Sequence, residues 1–143
     1  MKILINDGLH SVGIALLEKA GHQVDTNTIA QDDLLNKLNE YDAILVRSAT
    51  TVRKDLMDAA PNLKVIGRGG VGLDNIDVEY AKSKNISVFN TPAASSRSVA
   101  ELAMAHLFGI VRSLPAVNKA MSLDGVSDFK ALKKSASKGI ELQ

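Results

Sequence analysis

The stretch Val65-Ile66-Gly67-Arg68-Gly69-Gly70-Val71-Gly72 holds the residues best suited to chemistry in this chain. Gly67, Gly69 and Gly72 spell G-x-G-x-x-G after an apolar run, which is the spelling of a dinucleotide-binding turn. That turn has a required context. It is the first strand–helix turn of its unit, its third glycine lies in the helix, and an acidic residue follows about 20 residues later. Here the apolar run is the fourth of its kind. Gly72 is followed by Leu73-Asp74-Asn75-Ile76-Asp77, which puts the helix cap at Asp74 or Asn75. The next strand ends in Phe89-Asn90, with no carboxylate. The spelling therefore fails as a cofactor motif. Clustered glycines still permit positive φ and close approach of a ligand, and their amides can cradle an anion. Two readings remain: a tight turn, and a ligand-contact loop at the carboxyl edge of a sheet.

Arg47-Ser48 closes another apolar run and shares that edge. An arginine can grip a carboxylate or phosphate with two parallel hydrogen bonds, and Ser48 adds a donor. The alternative is an exposed surface ion pair, and the shared edge favours function. Arg68 is balanced between solvent and site. Asn90 fits either a ligand hydrogen bond or an Asx turn before Pro92. His10, His22 and His106 have no metal-ligand spacing. No paired carboxylates or activated nucleophile appear, so no catalytic residue and no metal site are assigned. The lysines at 130, 133, 134 and 138 read as a solvated face.

These residues need elements to position them. Short apolar runs at Lys2–Asn6, His22–Thr26, Ala43–Arg47, Leu63–Ile66 and Ile86–Phe89 predict strands. Helical spacing predicts helices at Ser11–Ala20, Ala30–Tyr41, Arg53–Ala60 and Val78–Lys84, with Gly21 stopping the first and Pro61 the third. The alternation predicts an α/β fold, a flavodoxin-like parallel sheet with helices on both faces. At 143 residues, 45% hydrophobic and 23% charged, the composition is that of one globular domain. A net charge of +1 gives no electrostatic case for nucleic acid or an anionic membrane. The absence of cysteine and the short apolar run at the start fit a cytoplasmic protein.

After Asn90 the character changes. Thr91-Pro92-Ala93-Ala94-Ser95-Ser96 reads as a hinge. Ser98-Val99-Ala100-Glu101 reads as a capping box opening a long helix, VAELAMAHLFGIVRSL, that Pro115 should kink or end. That helix is apolar nearly all round, so it calls for cover from a second domain or subunit. Weak helical character returns at Phe129–Lys134.

These blocks match one family in order. VRSATTVRKDLMDAAPNLKVIGRGGVGLDNIDVEYAKSKNISVFNTP, followed by SVAELAMAHLFGIVR, strongly resembles the NAD-dependent D-2-hydroxyacid dehydrogenases. The resemblance covers nearly all of this chain and only part of the family protein. It implies a substrate-binding domain over residues 1–90, and a hinge, long helix and tail over 91–143 leading to a nucleotide-binding domain. It implies that Arg47, Ser48, Gly69, Gly70 and Asn90 meet a small anionic 2-hydroxy or 2-oxo acid such as 3-phosphoglycerate. Val71, Ser96 and Val99 match positions near NAD, and Val99–Leu114 matches a homodimer core. Ser95 departs from the family, where asparagine is frequent. The family's own glycine fingerprint and its catalytic Arg, Glu and His lie beyond Gln143, so this chain is expected to be the N-terminal portion of the enzyme, inactive alone. The rival is a free-standing flavodoxin-like anion-binding or dimerisation module. A phosphoacceptor version is disfavoured, because the third strand ends in Arg47 where an Asp is needed.

Overall fold

The computed structural model describes residues 1–120, 129–137 and 140. Five strands form: β1 (Lys2–Ile5), β2 (Gln23–Asp25), β3 (Ala43–Val46), β4 (Val65–Arg68) and β5 (Ser87–Asn90). All pair parallel, in the order β2-β1-β3-β4-β5. The winding reverses between β1 and β3. In open α/β sheets the carboxyl side of such a reversal is where ligands bind.

Alternate residues of a strand face opposite sides, and both sides here are apolar. Ile3 and Ile5 of β1 and Ala43 of β3 face α1 (Ser11–Lys19), which contributes Ile14 and Leu17. Leu4, Ile44, Val46 and Ile66 face the other way. They meet Leu34 of α2 (Gln31–Lys37), Leu56 and Met57 of α3 (Lys54–Ala59), and Ala81 of α4 (Val78–Ser83). Right-handed crossovers explain why the single β1-to-β2 connection lies on one face and the rest on the other. The α1 face is the less covered. Leu16 and Phe89 remain 62% and 52% exposed.

Helix stops follow local chemistry. Gly21 takes φ +83° just after α1, as its type suggests. Pro61 bars helical geometry at Ala60, and α3 ends at Ala59. Other boundaries differ from expectation. The second helix ends at Lys37 and tightens into a 3-10 turn at Leu38–Glu40. The cap of α4 is Asp77, whose Oδ1 accepts from Tyr80 N at 3.1 Å, and not Asp74 or Asn75. The reason is a bridge between Val52 and Ile76 that keeps residues 73–77 extended or turned.

The chain divides into two compact units, Met1–Ser95 and Ser96–Gln143. The second holds α5 (Ser96–Val111), α6 (Leu114–Ala120) and α7 (Phe129–Ala136). Because α5 starts at Ser96, Ser98 sits inside its first turn and forms no capping box. Glu101 pairs instead with Arg97 Nε at 2.9 Å. The break after α5 belongs to Ser113, at φ +52°. Pro115 does not cause it. It stands in the first turn of α6, where a missing N–H costs nothing. Val99, Leu102, Phe108 and Ile110 of α5 are exposed. Lys130, Lys133 and Lys134 are exposed on α7, while Lys138 lies outside the described residues. No single described helix is long and apolar enough to cross a membrane.

Candidate functional site

The carboxyl ends of β1, β3, β4 and β5 deliver four short segments to one edge of the sheet. A cavity of about 330 Å³ opens there, lined in part by Leu9, His10, Arg47, Arg68, Gly69 and Thr91. No carboxylate among the described residues lines it. Within a largely apolar lining Arg47 and Arg68 supply positive charge, which suits an anion.

The two arginines differ in what they are committed to. The Arg68 side chain is 12% exposed. Its Nε donates to Arg47 O at 3.2 Å, and its Nη1 donates to Gly72 O and pairs with Asp74 Oδ1 at 3.2 Å. Arg68 is therefore a strut between the β3 and β4 loops. The Arg47 side chain is exposed, and its guanidinium has no hydrogen-bond or ion-pair partner among the described residues. Its stem lies beside the glycine loop, since a Cβ built on Gly69 would fall 3.4 Å from Arg47 Cγ.

The glycines prove to have separate uses. Gly67 is inside β4, and a Cβ there would lie 2.6 Å from Leu45 Cδ2 and 2.9 Å from the Phe89 ring. Gly72 admits Arg68, whose Nη1 would be 2.8 Å from an added Cβ. None of the loop glycines takes positive φ, so close approach, and not backbone freedom, accounts for Gly67 and Gly72, while a Cβ on Gly69 or Gly70 would meet only ordinary contacts. The nest reading also shifts. Gly69 N donates to Val46 O at 2.8 Å and Gly70 N to Arg68 O at 3.0 Å, so both amides are spent within the loop. The amides of Val71 and Gly72 have no acceptor among the described residues and are the donors open to a ligand.

Asn90 holds a contact within the protein that its sequence setting does not suggest. Its Nδ2 donates to Val71 O at 2.5 Å, and Thr91 N donates to Gly70 O at 3.0 Å, tying the glycine loop to the end of β5. Arg47, Ser48, Gly69, Gly70, Val71 and Asn90 thus share one edge. Ser96 and Val99 open α5 in the second unit, and Val99 is 61% exposed.

Sequence reasoning passed over the polar layer beneath Arg47. Asp7 Oδ2 accepts from Arg47 N at 2.7 Å and Thr50 N at 3.0 Å, and Oδ1 accepts from the Thr50 hydroxyl. Buried Asn6 donates to Thr50 Oγ1 at 2.8 Å and to Ile29 O at 3.0 Å. Buried Asn75 donates to Arg47 O at 2.9 Å and Thr50 O at 2.6 Å. Burial pushes the Asp7 carboxyl up, but the Thr50 hydroxyl and the amides of Arg47, Thr50 and Ala49 together outweigh it. The net position is below the ordinary 3.8. The signal was present: two polar residues, Asn6-Asp7, end an apolar strand at the edge where ligands bind.

With this geometry in hand, comparison with known proteins is decisive. Residues 3–140 match the model of the D-isomer specific 2-hydroxyacid dehydrogenase catalytic domain. The chain belongs to this family. It is 43% identical over 142 residues to D-3-phosphoglycerate dehydrogenase of Methanocaldococcus jannaschii, covering 99% of this chain and 26% of that protein. It is 41% identical over 133 residues to hydroxypyruvate reductase of Thermotoga maritima, covering 92% of this chain and 43% of that protein. The NAD+-bound 3-phosphoglycerate dehydrogenase of Entamoeba histolytica superposes with a TM-score of 0.67 at 30% identity, over 80% of this chain and 40% of that one. The chain thus spans well under half the length of these relatives. The family uses NAD, yet the Gly67–Gly72 loop does not fit a dinucleotide pyrophosphate. Arg68 fills the space at Gly72, and the next helix starts only at Val78.

Proposed function

We propose that this chain is the substrate-binding portion of an NAD-dependent D-2-hydroxyacid dehydrogenase, D-3-phosphoglycerate dehydrogenase being the reading its relatives favour. The observation that carries this is the uncommitted Arg47 guanidinium at the carboxyl edge of the sheet, in a cavity that no carboxylate among the described residues lines. Arg47 holds one anionic end of the 2-hydroxy acid in bidentate fashion. The free amides of Val71 and Gly72 take the other, with Ser48 as an added donor. NAD, held by the parent enzyme, would supply the hydride acceptor for chemistry at the substrate's C2. Val71, Ser96 and Val99 are the positions that would approach it. The 143-residue chain alone is expected to turn over no substrate, because the described residues lining the cavity offer His10 but no paired acid and base. The exposed apolar side chains of α5 support a homodimer through Val99–Leu114, and the lack of cysteine supports a cytoplasmic setting.

The test is titration of the 143-residue chain with 3-phosphoglycerate, followed by amide chemical shifts. Shifts should concentrate at Arg47–Thr50 and Gly69–Gly72. Arg47→Gln should weaken binding by about tenfold or more, the scale of one lost charged hydrogen-bond pair. Saturable binding with no effect of Arg47→Gln would refute the assignment.

A further inference from the structure

The β1 and β3 strands are neighbours, with Ile5 opposite Leu45. Their extensions bring Asp7 against Arg47. Every backbone polar group of Arg47 is then held. Its N–H donates to Asp7 at 2.7 Å, and its C=O accepts from Asn75 at 2.9 Å and from Arg68 at 3.2 Å. Its side chain is held by nothing among the described residues. A residue fixed through its backbone and free at its tip is presented to something else.

The Asp7 carboxylate is unusual in this setting. A negative charge beside an anion site either repels the ligand or captures the arginine. Here no ion pair forms between Asp7 and Arg47. The carboxylate accepts instead from two amides and a hydroxyl, all within residues 47–50. Three donors converge on one acceptor-only group, and no neutral side chain of that size supplies as many acceptor sites.

We infer that Asp7 is the positioning residue for Arg47: it clamps residues 47–50 so that the guanidinium meets the substrate anion. This rests on the reading of Arg47 as an anion contact. Asp7→Asn keeps the shape but puts an NH2 group against one of the donors, so the clamp opens without emptying the space. Thr50→Ser keeps the hydroxyl and Thr50→Val removes it.

The experiment has two readouts on the 143-residue chain. The first is hydrogen exchange at the amides of Arg47 and Thr50. In Asp7→Asn their protection should fall about tenfold or more, while the amide of Leu38, which donates to Leu34 O in α2, is unchanged. Unchanged protection at Arg47 and Thr50 overturns the clamp, whatever binds. The second is affinity for 3-phosphoglycerate in a double-mutant cycle. Asp7→Asn should weaken binding, Thr50→Val should follow it, and Thr50→Ser should stay near the parent. Asp7→Asn added to Arg47→Gln should change little further, because Asp7 acts through Arg47. Additive losses, or full affinity in Asp7→Asn, overturn the positioning role and leave Arg47 as the anion contact. Loss of protection in a chain that binds no 3-phosphoglycerate leaves the clamp standing and removes the substrate reading.

Discussion

Gly67 faces Phe89 across the β4–β5 ladder, and a Cβ on Gly67 would sit 2.9 Å from that ring. The same Cβ would be 2.6 Å from Leu45 on the other side. The glycine that opens the G-x-G-x-x-G spelling is therefore fixed by side-chain packing on the α1 face. Gly67→Ala should destabilise the chain by about 1–2 kcal/mol, at the lower end of overpacking because the exposed Phe89 ring can swing aside. Thermal unfolding should drop by roughly 4 °C per kcal/mol. An unchanged melting temperature would contradict this packing role.

Arg68→Lys keeps the charge and loses the fork. A lysine cannot span Arg47 O, Gly72 O and Asp74 from one planar head. Exchange of the Gly69 and Gly70 amides should quicken several-fold, with global stability falling by only about 1 kcal/mol. Equal protection in the two proteins would show that the strut does not hold the loop.

Asn6→Ala tests the buried layer. Asn6 is 3% exposed, accepts from Ile29 N at 2.8 Å, and donates to Ile29 O and Thr50. Truncation strands these partners away from water, at a cost of about 1–3 kcal/mol. Urea unfolding measures it, and a loss under half a kcal/mol, on the order of a surface substitution, would argue against the network.

Charge stabilisation has two edges in pH. The Tyr41 hydroxyl lowers the Asp25 carboxyl, Lys64 lowers Asp42, Lys84 lowers Asp58, and the Asp7 carboxyl is also low. A folded value below the ordinary 3.8 means stability present above that pH and lost as pH falls through the folded values. Resistance to urea should hold down to about pH 4 and decline below it. On the alkaline side, burial and then the Asp25 carboxylate push Tyr41 up to about 12. Its contribution is complete below 10.0 and disappears as pH rises through about 12. In a Tyr80→Phe variant, phenolate absorbance should rise near pH 12. A midpoint at the ordinary value would break the Tyr41–Asp25 assignment.

The α5 surface makes a prediction of its own. Leu102 and Phe108 are exposed, at 59% and 47%. Leu102→Glu with Phe108→Glu should convert a sedimenting dimer into a monomer and leave the β-sheet signal intact. A parent chain that sediments as a monomer at tens of micromolar would remove the dimer proposal.

The chain's local patterns settle which elements exist. The short apolar runs and the helical spacing place five strands and their helices, and Gly21 and Pro61 end two of those helices, because such patterns and backbone limits belong to consecutive residues. They also place Arg47 and the glycine loop at strand ends on one edge. The use of each residue at that edge is another matter. Arg47 and Arg68 are chemically alike in the sequence, yet Arg68 is tied to Gly72 and Asp74 while the Arg47 guanidinium has no partner among the described residues. Asp7 lies 40 residues from the amide it holds, and Asn90 lies 19 from the carbonyl it caps. Only the parallel sheet brings such segments together. Hydrogen bonds saturate, so which groups remain for a ligand is decided by neighbours in space, and that belongs to the tertiary structure.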